Sequence, residues 1–111
     1  MAAIMIESDR MSLDYEKITI ADASIGFTAA KIKGPGTEWS PTRGCQEVLC
    51  TFEIASDGAR FKTNGTAPTT TDGHLIENGD TISIKNPHDI LNFRAIRTAA
   101  VSGTLHVTYK F

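Results

Sequence analysis

From Tyr15 onward the chain alternates apolar and polar positions in short runs broken by turn residues. Ile18 and Ile20 alternate with Lys17 and Thr19, the two-residue period of a strand with one buried face. After a turn at Asp22-Ala23-Ser24, Ile25, Phe27, Ala29 and Lys31 fall on one parity and Thr28, Ala30 and Ile32 on the other. This predicts a second strand, bulged near Gly26. The clearest strand follows: Val48, Cys50, Phe52 and Ile54 share one face, and Glu47, Leu49, Thr51 and Glu53 the other. Ser56-Asp57-Gly58 and Asn64-Gly65 are hairpin and turn signals on either side of a strand from Ala59 to Thr63. Leu75 and Ile76 start a short strand, and Ile82 and Ile84 mark another. Asn86-Pro87-His88-Asp89 reads as a turn, and Leu91 to Arg97 as a strand. Leu105, Val107, Tyr109 and Phe111 alternate strictly with His106, Thr108 and Lys110.

No helical stripe of useful length interrupts this pattern. Seven or eight short strands, with turn signals roughly every 8–12 residues, are the mark of an all-β sandwich or barrel. The number of strands and the long crossover loops favour a single jelly-roll-like β-sandwich of antiparallel strands. Residues 15–111 form that domain. Residues 1–14 lack a clean period and read as an N-terminal arm suited to reaching a neighbour. The segment 34–44, with three Gly and two Pro, is a loop that carries Trp39, the only tryptophan.

Composition narrows the function classes. At 111 residues the chain has room for one domain with a modest core. Eleven Lys and Arg against thirteen Asp and Glu give a net charge of −2, without the basic excess of a nucleic-acid binder. The apolar start, Met1-Ala2-Ala3-Ile4-Met5-Ile6, ends at Glu7, too soon for a secretory signal. No run of eighteen apolar residues predicts a membrane span, so the expected site of synthesis is the cytoplasm.

The candidate chemistry is sparse. Cys45 and Cys50 are too few for a zinc site and fall on opposite faces of one strand, so two reduced thiols are expected, with Cys50 in the core. His74, His88 and His106 form no H-x-H or H-E-x-x-H run, and no metal is expected. Glu47 and Glu53 are the carboxylates a glycosidase would need. Without a Ser/His/Asp signature, and with little chain to build a cleft, no catalytic set and no cofactor are assigned. Arg94 and Arg97 fall on opposite faces of one predicted strand. Each either ties strand to loop or reaches a carboxylate on a partner protein. Trp39 either caps the sandwich or inserts into a partner; with Tyr15 it is also the candidate platform for a sugar ring.

Several short segments carry a resemblance when taken in order. These are Asn64-Gly65-Thr66-Ala67-Pro68-Thr69, Gly73-His74, Gly79-Asp80, Asn92-Phe93-Arg94-Ala95-Ile96-Arg97-Thr98 and Thr104-Leu105-His106-Val107-Thr108-Tyr109. Over residues 60–109 the chain resembles the small capsid staple, or decoration, proteins of epsilon-fifteen-like short-tailed phages. The resemblance implies a jelly-roll-like sandwich on the outer capsid surface of the virion that clamps neighbouring major capsid proteins. It also implies pairing with a second copy across two-fold positions, and no enzymatic activity. Gly65, Gly79, Asp80, Phe93, Arg94 and Arg97 then read as structural. Met1, Ile4 and Ile6 of the arm, with Trp39 and Arg43 of the loop, are the expected contacts to shell or neighbour. No nucleic acid or membrane is expected as partner. The alternative function is a carbohydrate-binding module of a phage tail or adhesin, built on Trp39 and Tyr15; a tail or head-completion protein is a third.

Overall fold

A computed structural model describes residues 10–33 and 44–111. Its strands are β1 (Ser12–Ile20), β2 (Glu47–Glu53), β3 (Gly58–Lys62), β4 (His74–Glu77), β5 (Thr81–Ile84), β6 (Arg94–Arg97) and β7 (Gly103–Lys110). Two short helices, α1 (Ala29–Ile32) and α2 (Pro87–Asn92), lie between them. The strands form two antiparallel sheets, sheet A in the order β1-β7-β2-β5 and sheet B in the order β4-β3-β6.

The connectivity is that of a jelly roll with one strand almost lost. First pairs with last, β1 with β7. Ile25 then makes a single antiparallel bridge to Ala95 of β6, with reciprocal N–H···O bonds of 2.9 Å. Next come β2 with β5 and β3 with β4. These nested pairings describe one long hairpin rolled on itself. The β2–β7 and β3–β6 pairings complete the two sheets. Counting Ile25, the described residues supply seven strands and one vestige, within the expected architecture.

The vestige corrects the strand expected after the first turn. Only Ile25 pairs, and Ala29 to Ile32 form one turn of helix. Phe27 and Ile32 are the buried positions of the segment, and alanine at 29 and 30 favours helix over strand once pairing ends. The strand expected from Leu91 is also shorter. It begins at Arg94, because Asn86-Pro87 starts a helix instead of a turn. The Asn86 side chain accepts from the backbone N–H of His88 (2.9 Å) and Asp89 (3.3 Å), and Pro87 occupies the first turn, where its missing N–H costs nothing. At the other end, β1 begins at Ser12, inside the expected arm. An irregularity between Ser12 and Asp14 breaks the alternation there and hides the strand from a period count.

The core lies between the sheets. Ile18, Ile20, Val48, Cys50, Phe52, Leu105, Val107 and Tyr109 face inward from sheet A, and Ala59, Ile76 and Ala95 from sheet B. Phe27, Phe93 and Phe61 stack between them, with ring centroids 4.4 Å apart for Phe27–Phe93 and 5.8 Å for Phe61–Phe93. Tyr109 meets Phe27 edge-on at 6.0 Å. Phe93 is therefore the centre of the core, although it sits between α2 and β6 rather than in a strand.

The turns hold the layers in register. The β4–β5 turn carries the chain from sheet B to sheet A. Gly79 there has φ 88°, and Gly65 of the Asn64-Gly65 turn has φ 90°, both in the left-handed region that glycine tolerates. Asp80 closes the turn by accepting from the Glu77 N–H at 2.8 Å. The tip is stitched to β2: Gly79 N–H donates to Phe52 O (2.8 Å) and Phe52 N–H to Asp80 O (3.0 Å).

Candidate functional site

Among the described residues, no group of three or more His, Cys, Asp or Glu side chains is arranged to hold a metal ion. Both cysteines are free and buried; burial raises the Cys45 thiol and pushes Cys50 up to about 12, so neither is an available thiolate at neutral pH. Glu47 and Glu53 stand at the two ends of β2. Six residue-to-residue steps of strand separate them, roughly 20 Å, well beyond the span of a glycosidase pair. Glu47 was expected on a solvent-facing strand side, yet it is only 6% exposed. Directly opposite it in the β2–β7 register is Lys110, at 2%, and the Ser83 hydroxyl donates to Glu47 at 3.4 Å. The register sets opposite charges on facing positions at that end of the sheet, which a single strand read alone does not reveal.

What the fold does present is two outer faces. On sheet A, Tyr15 of β1, His106 of β7 and Glu53 of β2 form a line across three strands. His106 Nε2 is 3.2 Å from Glu53, and His106 Nδ1 is 2.7 Å from the Tyr15 hydroxyl. An ionised carboxylate only accepts, so Nε2 carries the proton and Nδ1 accepts from Tyr15 when the ring is neutral. The Tyr15 and His106 rings lie within 25° of parallel. Thr19, Thr51, Thr104 and Thr108 fill in around this line.

One edge of sheet A is β1, the other β5. β1 is the longer of the two. Its beginning exposes a run of apolar residues: Met11 is 67% exposed, Leu13 59% and Tyr15 51%. Beneath them the strand is anchored. The Tyr109 hydroxyl donates to Glu16, which also accepts from Thr28 at 3.0 Å, and Lys31 of α1 pairs with Asp14 at 2.9 Å. That hydrogen bond, with one from the Tyr15 N–H, holds the Asp14 carboxyl below its ordinary range. Burial, with Glu16 beside it, pushes the Tyr109 phenol far up. The one-turn helix thus clamps the start of β1, while the C-terminal end of the strand is tied toward sheet B by Arg97 N–H to Ala21 O at 3.0 Å. A long edge strand with apolar side chains and no proline is a surface that proteins ordinarily cover.

The outer face of sheet B is cationic. Ala59 and Ala95 point into the core, so Arg60 and Lys62 of β3 and Arg94 and Ile96 of β6 point out. The register sets Lys62 directly against Arg94 and Arg60 against both Ile96 and Leu75. Arg60 is turned toward the β3–β4 loop, donating to the carbonyls of Thr70 (3.2 Å) and Gly73 (2.9 Å). Lys62 pairs with Asp72 at 2.7 Å, a hydrogen bond that holds the Asp72 carboxyl below its ordinary range. Arg94 is exposed and makes no ion pair among the described residues. Arg97 lies on the other side of β6, where its guanidinium donates to Ser102 at 2.8 Å.

The remaining candidates fall apart in space. His74 is exposed, with its ring tilted against Phe61 at 5.3 Å, and His88 is exposed at the start of α2. Met1, Ile4, Ile6, Trp39 and Arg43, the expected contacts, lie outside the described residues, and of the two expected sugar-platform residues only Tyr15 is described. Met11 and Leu13 and the Lys62–Arg94 opposition were not singled out from the sequence; the first lie inside an apparent arm, and the second exists only through strand register. No known protein family, curated protein or solved structure matches this chain.

Proposed function

We propose that this protein is a non-enzymatic structural component of a phage particle: a capsid decoration, or staple, protein on the outer surface of the shell. In this role it clamps neighbouring major capsid proteins and pairs with a second copy of itself. The observation that carries the reading is the exposed apolar run Met11, Leu13 and Tyr15 along the anchored start of the edge strand β1. It offers a partly apolar edge at the end of the arm, residues 1–14, expected to reach a neighbour. A small sandwich closed by nested strand pairings suits a part used in many copies, where modest contacts are repeated over a shell. The segment resemblance over residues 60–109 supplies the assignment to a phage particle.

Binding to purified shells tests the reading. The double variant Leu13→Asp, Tyr15→Asp is expected to fold, since both side chains are exposed, and to lose most of its shell occupancy. Unchanged occupancy would refute the edge as the docking element. A second reading, carbohydrate binding, is favoured by the half-exposed Tyr15 ring held beside His106. A glycan array with Tyr15→Ala and Trp39→Ala controls decides it: a sugar-dependent signal lost in both variants supports a platform, and no signal removes it.

A further inference from the structure

The outer face of sheet B breaks a rule that the rest of the molecule keeps. In an antiparallel pair, like charges directly opposite one another repel, and Lys62 faces Arg94 in this way. Arg60 stands two residues along β3 on the same face. The protein relieves this only in part. Asp72 answers Lys62 and two loop carbonyls occupy Arg60. Arg94 is left exposed, with its guanidinium aimed away from the core. The other carboxylate of this face, Glu77, sits at the opposite end of the sheet, across from Gly58. This cationic cluster lies on a chain whose net charge is −2, so it is a local choice and not a by-product of a basic composition. Exposed Leu75 and partly exposed Ile96 flank Arg60 on either side, so the face combines apolar contact area with charge, the make-up of a protein interface.

We propose that the outer face of sheet B docks an acidic surface of a partner protein, whose carboxylates pair with Arg94 and displace Asp72 from Lys62. Arg is the side chain suited to this task, because its planar fork meets a carboxylate with two parallel hydrogen bonds. The strand fixes the Arg94 backbone between Phe93 and Ala95, both buried, so its side chain leaves the face from a set position. Asp72 acts as an internal competitor. It holds Lys62 when the face is empty and belongs to an exposed loop that can yield when a partner's carboxylate arrives. Deepening the reading above by naming the partner's chemistry, the inference rests on that reading only in requiring a protein partner.

The test is a titration of the full chain with poly-L-glutamate at low ionic strength, followed by NMR amide shifts. Saturable shifts concentrated in β3 and β6 are expected, abolished at about 0.5 M NaCl, where screening acts over a few ångströms. Arg94→Gln should weaken binding roughly tenfold or more, the worth of one charge-assisted pair. Arg97→Gln, on the opposite side of the same strand, should leave it within about twofold. Asp72→Asn should strengthen it by freeing Lys62. Equal weakening by Arg94→Gln and Arg97→Gln, no gain from Asp72→Asn, or shifts spread over all cations would overturn the proposal. The two readings fail separately: shell binding that survives Arg94→Gln removes this one alone, and poly-glutamate binding by a protein absent from shells removes the capsid assignment alone.

Discussion

The two outer faces of this sandwich are built on the same core and arrange their charges differently. On sheet A, Glu53 has His106, Glu47 has the Ser83 hydroxyl with Lys110 opposite in register, and Asp14 has Lys31 of α1, while Lys17 is exposed and makes no ion pair among the described residues. On sheet B, two cations oppose one another and Arg94 is left over. The first face answers these carboxylates within one molecule, and exposes apolar side chains at its edge at Met11, Leu13 and Tyr15. The second sets two permanent cations on facing positions of adjacent strands, which the first does not. In the proposed role, the contrast separates an apolar edge contact from a charged face contact.

The largest expected effect removes the floor that both faces share. Phe93→Ala takes out the ring that stacks on Phe27 and Phe61, and should cost about 3–5 kcal/mol, measured by denaturant unfolding. Both faces should then loosen together; a loss confined to sheet B would show that the core is divided. Next, Tyr109→Phe deletes the donor to Glu16 beneath the edge strand and should cost about 1.5–3 kcal/mol. The Tyr109 phenol is raised in the folded protein, so its contribution is intact below about pH 10 and is lost as pH rises beyond that value. Wild type should therefore unfold more readily in alkali, and Tyr109→Phe should flatten that limb of the stability profile.

A smaller effect separates the faces directly. Arg94→Glu places opposite charges across β3–β6 and should stabilise the isolated protein by about 0.2–1 kcal/mol, while destroying its affinity for acidic partners. Lys17→Glu on sheet A, opposite His106 and near Glu53, should bring no such gain. If both reversals change melting temperature alike, the contrast between the faces is not electrostatic. The smallest effect is in acid. Asp14 and Asp72 are both lowered in the folded state, so their contribution is complete above the ordinary carboxylate range, about pH 4, and disappears as pH falls through their lowered values. Asn at either position should remove part of the acid dependence, read from stability curves across that window.

The sandwich could be read from the sequence because β2 and β7 alternate without interruption, and both strands lie at the centre of sheet A with one face in the core. The reading failed where local chemistry outweighed period. Two alanines and an Asn-Pro pair turned segments expected as strand and turn into short helices. An irregularity at Ser12 and Asp14 concealed the start of β1. The functional surfaces were less accessible for a different reason. Arg94 was visible as a choice between a loop and a partner, but its opposition to Lys62 depends on the pairing of strands more than thirty positions apart. So does the facing placement of Glu47 and Lys110. No window along the chain contains either relation.

The capsid assignment is tested most directly by counting copies of this protein in purified phage particles, by quantitative mass spectrometry against the major capsid protein. The account predicts a copy number that scales with the shell, comparable to the number of seams between neighbouring capsid proteins. A handful or a dozen copies per particle, the stoichiometry of a tail or neck, or absence from the particle, would contradict it.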